Sequence, residues 1–468
     1  MRGFGRQIHM VGIGGEGMSG LASILLKRGA CVSGSDLKRN QHTERLSRVG
    51  AVVHASHAAC HVRADHDCVI VSSAIRPDNE EVLAAERLGI PVIHRLHALS
   101  AVIGGRRSIG VAGTHGKTTV TAMSATILRE LAEDPSFLIG AHCETLGGNA
   151  CDGRGDWFVA EIDESDGLFT CIRPTIAVLN NIGKDHLQTY RTVEDIDAAF
   201  RQYVKGARHA VLEIDDPRVY AISETTWGGF TVGFHPRARL RATHVRYAGF
   251  RTSFTLELDG RSVTRVTLPA PGRHNVKNAL CALGAAAVAG MDLRAACRAL
   301  GSFGLPHRRF ELLEENGVTV VDDYAHLPEE VAASLYAVRT GWPGRRIVAV
   351  FQPHRYTRTQ TLGREFAASF DLADVAVVTD IYPASEAPIQ GVSASAVADA
   401  VACASRVEAH WIPEKADVTA FLKASIQPGD FIISFGAGDV WQITRELSEF
   451  LIAGNFQFAS TGEPICSR

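Results

Sequence analysis

A chain of 468 residues is too long for one ordinary domain, and at roughly 100–200 residues per domain it implies about three. Hydrophobic residues make up 46% and charged residues 21%, enough for each domain to bury a core of its own. The formal net charge of −3 excludes a global basic field, so neither nucleic acid nor an anionic membrane surface is an expected partner.

The ten cysteines are scattered singly with no CxxC pair, a usage that fits a reducing compartment. No apolar run reaches the roughly 18–20 residues of a membrane span, and the start at Met1–Arg6 leads into a strand-like stretch rather than a signal peptide. The expectation is a soluble cytoplasmic protein.

Three times a short apolar run ends in a glycine- or charge-rich turn followed by an alanine- and leucine-rich helical pattern, which argues for parallel α/β sheets. The first run, Gln7–Ile13, leads into Gly12-Ile-Gly-Gly-Glu-Gly17. Gly12, Gly14 and Gly17 match GxGxxG, which lets the backbone approach a diphosphate at a helix N-terminus. Asp36 closes a second apolar strand, about where a Rossmann acid meets a ribose hydroxyl. The same glycines could serve tight strand–helix packing instead, and Glu16 sets a negative charge inside the proposed anion turn. Taken alone, the motif suggests a dehydrogenase.

Past a hinge-like Ile103–Arg107, the run Ser108–Ala112 opens a second unit and is followed by Gly113-Thr-His-Gly-Lys-Thr-Thr119 and the helical pattern Val120–Leu131. This is the core of a phosphate loop. Backbone N–H groups along Gly113, Thr114, His115 and Gly116 would cradle a β-phosphate, Lys117 would reach the β/γ oxygens, and Thr118 would ligate Mg²⁺. Val111 stands where a strict Walker A motif has its first glycine. Two later strands end in groups suited to a magnesium nucleotide site, Trp157–Asp166 in a cluster of acids and Ala177–His186 in Asp-His. A histidine is an unusual magnesium ligand, so a capping role for His186 stays open.

Polar–apolar alternation over Arg237–Leu268 predicts a small antiparallel addition, Gly304–Arg309 reads as the next link, and Arg346–Phe351 opens the third unit. The residues from Gln457 onward read as a polar tail. The expected domains are residues 1–105, 106–306 and 307–468.

Ten motifs, in order, resemble the Mur ligases through nearly the whole chain. They are HMVGIGGEGMSG at 9–20, SGSD at 33–36, VSSAIRPDN at 71–79, AGTHGKTT at 112–119, EIDESDG at 161–167, NNIGKDHLQTY at 180–190, GRHNVKNAL at 272–280, RRF at 308–310, DDYAH at 322–326 and FQPHRYTRT at 351–359. The resemblance implies an α/β enzyme of three domains. A Rossmann-like N-terminal domain would hold the UDP part of a sugar nucleotide, a central P-loop domain with a mixed sheet would hold ATP, and a Rossmann-like C-terminal domain would hold the incoming amino acid.

DESDG and FQPHRYTRT fit the alanine-adding members best. Those use ATP and Mg²⁺ to turn the lactyl carboxylate of UDP-N-acetylmuramate into an acyl phosphate, which the amine of L-alanine attacks. The resemblance gives Lys117 and Thr118, with Thr119 beside them, to the first metal–phosphate cluster, and Glu161 and His186 to a second Mg²⁺. It gives Ser72, Ser73 and Asn149, with the glycine turn and Asp36, to the sugar nucleotide. Asn275 and Asn278, three apart on one helix face, look like the family's adenine-reading pair, though Asn275 could equally be an N-cap. Arg309 resembles the γ-phosphate arginine and Asp323 the acid near the adenosine ribose. His326, Arg355 and Arg358 become candidates for the amino-acid pocket, with His326 the best candidate for general base.

Three departures stand out. Leu327 replaces the second histidine usual after DDYA or DDYG, Lys184 stands where proline is more usual, and Glu16 is acidic. The nearest rival is a sister ligase that adds a preformed peptide during wall recycling. A folylpolyglutamate or cyanophycin synthetase is disfavoured by the N-terminal GxGxxG domain, and a catalytically inactive relative by the presence of Lys117, Glu161 and His186. The expected assembly is a monomer or weak homodimer.

Overall fold

The computed structural model describes residues 5–183, 185, 189–315, 317–404, 406–454, 456–458 and 464–466. Among the described residues the chain builds three α/β sheets and one two-stranded ribbon. The first has five parallel strands, β1 (Gln7–Val11), β2 (Cys31–Ser35), β3 (Val52–His54), β4 (Cys68–Val71) and β5 (Val92–His94), in the order β3-β2-β1-β4-β5. The chain reverses its direction of winding between β1 and β4, so the crevice at their carboxyl ends is where a doubly wound sheet takes a ligand. The glycine turn leaves β1 at that point.

The second sheet is mixed and has ten strands. They are β6 (Arg107–Ala112), β7 (Ser136–Cys143), β8 (Gly148–Cys151), β9 (Trp157–Glu161), β10 (Ile176–Leu179), β11 (His209–Glu213), β12 (Phe230–Gly233), β13 (Leu240–Ala248), β14 (Arg251–Leu258) and β15 (Arg261–Leu268). Their order is β15-β14-β13-β12-β11-β10-β6-β9-β7-β8. The phosphate-loop strand β6 lies between β9 and β10, parallel to both, so the acids that end β9 come up beside the loop. The helix Lys117–Glu130 after the loop buries every residue from Thr118 to Leu128, the pattern of a helix covered on all sides. The alternating stretch forms β13, β14 and β15, joined by two-residue turns that only antiparallel neighbours allow, and β12 pairs with β13 in parallel.

The third sheet has the order β16-β17-β21-β18-β19-β20, formed by β16 (Glu311–Glu315), β17 (Thr319–Asp323), β18 (Ile347–Phe351), β19 (Val375–Val378), β20 (Glu408–Trp411) and β21 (Phe431–Phe435). Only the β16–β17 pair is antiparallel. Ile347, Ala349 and Phe351 of β18 enter one core and Val348 and Val350 another, so both faces of this sheet are covered. That is why the strand reads as a continuous apolar run. Phe351 is fully buried, with its ring 4.7 Å from Phe366 and 5.5 Å from Phe370. Phe351→Ala should cost about 3–5 kcal/mol in denaturant unfolding of this unit, and a cost below about 1 kcal/mol would show that the neighbours collapse into the space.

The chain divides into two compact units, one of Met1–Val245, Ser253–Leu268 and Asn275–Gly304, the other of Arg246–Thr252, Pro269–His274 and Leu305–Arg468. In the second, Phe250 at the β13–β14 turn packs 4.7 Å from Trp342 and 6.2 Å from Phe310. The plain polar tail expected from Gln457 needs correction, because Phe456–Phe458 pairs antiparallel with Pro464–Cys466. Among the described residues no helix is long and apolar enough to cross a membrane.

Candidate active site

The loop after β6 takes its shape from two left-handed glycines and two asparagines. Gly113 has φ +135° and Gly116 has φ +76°, conformations that side-chain-bearing residues rarely adopt. A Cβ on Gly113 would lie 1.8 Å from Asn180 Oδ1, and one on Gly116 would lie 2.4 Å from Asn278 Oδ1. Asn181 clamps the loop from both sides: its Oδ1 accepts from the His115 N–H at 2.7 Å and its Nδ2 donates to the His115 carbonyl at 2.9 Å. Asn180 Nδ2 donates to the same carbonyl. The Gly183 N–H donates to Thr114 Oγ1 at 2.7 Å. Asn180 and Asn181 belong to a quoted motif, but the sequence assigned them no role.

Lys117 Nζ donates to the carbonyls of Gly113 (2.6 Å) and Thr114 (3.1 Å) and pairs with the Glu164 carboxylate at 2.9 Å. Burial alone would lower the lysine's pKa, but Glu164, Asp163 and Glu161 outweigh it and hold the value above its ordinary range. Lys117 is therefore a cation at neutral pH. Burial pushes the Glu164 carboxyl up to about 7 against the pull of Lys117. Thr118 Oγ1 donates to Glu161 Oε1 at 3.1 Å, and Glu161 Oε2 accepts from the Gly140 N–H at 2.7 Å. Thr119 is buried in the next turn position. His186 and Lys184 lie outside the described residues. Among the described residues no group of three or more His, Cys, Asp and Glu side chains is arranged to hold a metal ion.

The rest of the acid cluster faces the first sheet. Asp163 accepts from Arg95 Nη2 at 2.6 Å, while Asp166 accepts from Ser73 Oγ at 2.7 Å and lies 3.5 Å from His94 Nε2. Burial would raise the Asp163 carboxyl, but Arg95 and Lys117 prevail and hold it at about 2. Arg95 also comes within 3.4 Å of where a Cβ on Gly17 would stand. Arg95 and Glu164 were missed by the sequence reading; Glu164 was in view as one of the clustered acids, whereas Arg95 lies in no motif.

The glycine turn hangs from the end of β2. The N–H groups of Gly12 (2.8 Å) and Ile13 (3.0 Å) donate to the Ser35 carbonyl, and the Gly14 N–H donates to Asp36 Oδ2 at 2.9 Å. Asp36 thus fixes the turn itself, a task the sequence reading did not give it. Ser72 Oγ would stand 3.1 Å from a Cβ on Gly12. Gly17 lies inside the helix Glu16–Lys27. The charge of Glu16 is answered from the side: Oε1 lies 2.9 Å from His42 Nε2, and Oε2 accepts from Asn149 Nδ2 at 3.3 Å. The His42–Glu16 hydrogen bond raises the pKa of His42.

Asn275 and Asn278 lie in the helix Arg273–Val288, with Asn278 Nδ2 donating to Asn275 Oδ1 at 3.2 Å. The N-cap alternative for Asn275 does not hold, because the helix has already begun two residues earlier. Lys277 between them reaches Glu213 at 3.3 Å and Asp215 at 3.4 Å, at the carboxyl end of β11. Burial drives the Glu213 carboxyl up from 4.5 to about 8, over the opposing pull of Lys277. A raised acid favours the fold below its unfolded pKa, and that contribution is lost as pH climbs through the folded value. The stability of Glu213→Gln relative to wild type should therefore rise between pH 5 and pH 8.5, as followed by denaturation midpoints; a falling difference would mean that the buried carboxylate is well compensated.

In the second unit the remaining candidates gather at the carboxyl ends of β17 and β18. Asp323 accepts from Ser334 Oγ at 2.6 Å and from the Ala325 N–H at 3.2 Å, and burial raises its carboxyl to about 6. The Arg309 guanidinium lies 4.8 Å over the Tyr324 ring. Its neighbour Arg308 is structural, bonding Asp322 at 2.8 Å and the Gly436 carbonyl at 2.6 Å. His326 Nδ1 is 3.0 Å from the Tyr324 carbonyl, which can only accept, so Nδ1 carries a proton, and Glu330 Oε2 lies 3.5 Å from the same nitrogen. Arg355 caps the helix Tyr356–Leu362 with φ +71°, and its N–H donates to the Tyr382 carbonyl at 2.8 Å. Arg358 Nη1 lies 3.1 Å from His354 Nδ1, and His354 stacks on Tyr382 with centroids 5.6 Å apart.

Three family models cover the chain: the Mur ligase family catalytic domain over residues 7–107, the Mur ligase middle domain over 111–286, and the Mur ligase glutamate ligase domain over 308–438. The chain belongs to the Mur ligase family. The UDP-N-acetylmuramate–L-alanine ligase of Pelobacter propionicus is 43% identical over 93% of this chain and 96% of its own length. That of Syntrophus aciditrophicus is 45% identical over 93% and 91%. The crystal structure of the UDP-N-acetylmuramate-alanine ligase MurC from Thermotoga maritima superposes with a TM-score of 0.83 at 28% identity, covering 96% of this chain and 99% of that one.

Within this Mur ligase the Leu327 departure has a plain setting. Leu327 is 4% exposed and packs in the core that holds Phe310, Val331 and Phe351, at the cap of the helix Pro328–Gly341. It adds an apolar side chain to the interior, while His326 keeps its place beside Tyr324 and His354.

Proposed function

We infer that this Mur ligase joins the lactyl carboxylate of UDP-N-acetylmuramate to L-alanine at the expense of ATP, in the synthesis of peptidoglycan precursors. The near full-length likeness to the two alanine-adding ligases carries this reading. A carboxylate is a poor electrophile. Its oxygen attacks the γ-phosphorus of ATP and ADP leaves; the amine of alanine then attacks the acyl carbon, phosphate departs and the nitrogen gives up a proton.

Each step makes a demand that this chain's side chains suit. The transferring phosphoryl group calls for preorganised positive charge, which Lys117 and the N–H groups of the Gly113–Thr119 loop supply. The Thr118 hydroxyl and the Glu161 carboxylate are hard oxygen donors facing one another at 3.1 Å, a donor set that fits Mg²⁺. When bound, Mg²⁺ neutralises charge building on the phosphate oxygens. By resemblance Thr118 serves the first metal–phosphate cluster, and Glu161 with His186 would hold a second Mg²⁺.

In the same proposal Asn275 and Asn278 read adenine, Arg309 serves the γ-phosphate and Asp323 the ribose. Gly12, Gly14, Gly17, Asp36, Ser72, Ser73 and Asn149 serve the sugar nucleotide, while Arg355 and Arg358 hold the alanine carboxylate. His326 takes the ammonium proton. The reading divides the chain at 1–105, 106–306 and 307–468, and puts a monomer or weak homodimer in the cytoplasm.

The test is phosphate release from Mg²⁺-ATP with UDP-N-acetylmuramate across single amino acids and short peptides. Release that requires both the sugar nucleotide and L-alanine supports the proposal. Release only with a tripeptide moves the chain to the recycling ligases, and no release with any acceptor overturns it.

A further inference from the structure

One buried carboxylate beneath the glycine turn is ringed by histidines that the reaction does not use. Glu81, on the helix Glu80–Arg87, is fully buried. Its Oε1 lies 2.7 Å from His61 Nδ1 and 3.5 Å from His9 Nε2, and its Oε2 lies 3.2 Å from His57 Nδ1. The Ser35 hydroxyl donates to Oε2 and lies 2.9 Å from His57 Nδ1. Further histidines lie outside these. His54 stacks on His61 at 3.8 Å and His66 on His9 at 5.3 Å, with Ser33 Oγ lying between His9 Nδ1 (2.9 Å) and His66 Nε2 (3.2 Å). Arg63, Asp65 and Asp67 are the charged side chains acting on His66 from outside.

These groups come from β1, β2, β3, the turn Ala59–His61, the segment before β4 and the helix Glu80–Arg87, and they converge on Ser35. The backbone of Ser35 is what holds the glycine turn, through the Gly12 and Ile13 N–H groups, and the next residue, Asp36, holds Gly14. We propose that Glu81 and its histidines form a protonation-sensitive support that positions the glycine turn, so that affinity for the sugar nucleotide falls as the ring gains protons. This rests on the reading of that turn as the sugar-nucleotide site.

The argument is one of charge balance. His9 Nε2 is buried with no hydrogen-bond partner among the described residues, so a proton there pairs with Glu81. That first imidazolium is neutralised. A second, on His54, His57 or His61, meets no further carboxylate inside the ring, and stacked neighbours then repel at low effective dielectric. Burial already works the same way on two members: it lowers the pKa of His54 and of His66, with neighbouring cations adding to it. Burial would raise the Glu81 carboxyl, but Ser35, His61 and the facing His9 imidazole prevail and hold it at about 2, so the ring keeps its anion throughout.

The test is direct binding of UDP-N-acetylmuramate by titration calorimetry at pH 8 and pH 6, in buffers of different ionisation enthalpy. Wild type should bind more weakly at pH 6 and release protons on binding there. Glu81→Gln removes the charge that draws protons to the ring. It should bind about tenfold more weakly at pH 8, the order expected for a lost charge-assisted hydrogen bond, with no difference between pH 8 and pH 6 and no proton release. Its kcat at saturating substrates should stay within about twofold of wild type, because Glu81 touches no reacting atom. Should E81Q unfold, Ser35→Ala cuts the same link with little loss of packing and should weaken binding and flatten the pH profile alike. Wild-type affinity and proton release retained in both folded variants would overturn the proposal. Failure of wild type to bind the sugar nucleotide at pH 8 would instead overturn the reading of the glycine turn.

Discussion

Lys117→Ala should lower the rate of ATP-dependent amide formation by at least about 10³-fold while leaving UDP-N-acetylmuramate binding largely unchanged. The ammonium is the cation of the Gly113–Thr119 loop, kept protonated by Glu164, Asp163 and Glu161. Its removal deletes charge at the phosphates and leaves the buried Glu164 carboxyl without its ion pair at 2.9 Å. With burial then unopposed by the ammonium, Glu164 becomes a neutral acid near pH 7, so the variant should fold with only a modest change in thermal midpoint. Single-turnover phosphate release and sugar-nucleotide calorimetry on the same preparation separate the two effects. Turnover within about tenfold of wild type would remove Lys117 from the chemistry.

The second large effect is Gly113→Ala. The residue has φ +135°, and a Cβ would meet Asn180 Oδ1 at 1.8 Å and the Asn181 carbonyl at 2.9 Å. Strain in the backbone alone costs about 1–3 kcal/mol. The clash adds to it, because one of the two atoms is backbone and cannot swing away. The loop must open to relieve it, which breaks the clamp on His115, so ATP binding should fall by two orders of magnitude or about 3 kcal/mol. Nucleotide titration against protein whose folding has been checked by denaturation reads this directly; affinity within threefold of wild type would mean that the loop tolerates the shift.

What could be read in advance was whatever depends on neighbours in sequence. Each strand–turn–helix opening announced itself because a glycine turn must follow an apolar strand, and so Gly12, Gly113 and Lys117 were found without a structure. The three meander strands were visible from their alternation. Partners that meet across long separations left no such trace. Asn181 holds a loop 66 residues away, and Arg95 meets Asp163 across 68. Asp36 was identified as an acid at a strand end, yet its bond to Gly14 depends on the register of β1 with β2. The insertion of β21 between β17 and β18 is equally hidden, since the last strand of the third sheet returns to its middle. An N-cap role stood open for Asn275 because it sits near a helix start; the helix begins at Arg273 instead.

The stretch Glu161-Ile-Asp-Glu-Ser-Asp166 spends its acids one by one, on Thr118, Arg95, Lys117 and Ser73. Six residues thus serve as a ruler with four marks. An insertion or deletion of a single residue within it would not weaken one contact but reassign all those beyond it: a deletion sets the Ser165 hydroxyl against the loop lysine, and an insertion sets the Ile162 side chain against Arg95. This segment should therefore tolerate point changes at Ser165 while admitting almost no change of length, and a library of single-codon deletions scored for growth would expose it as a narrow gap between tolerant flanks.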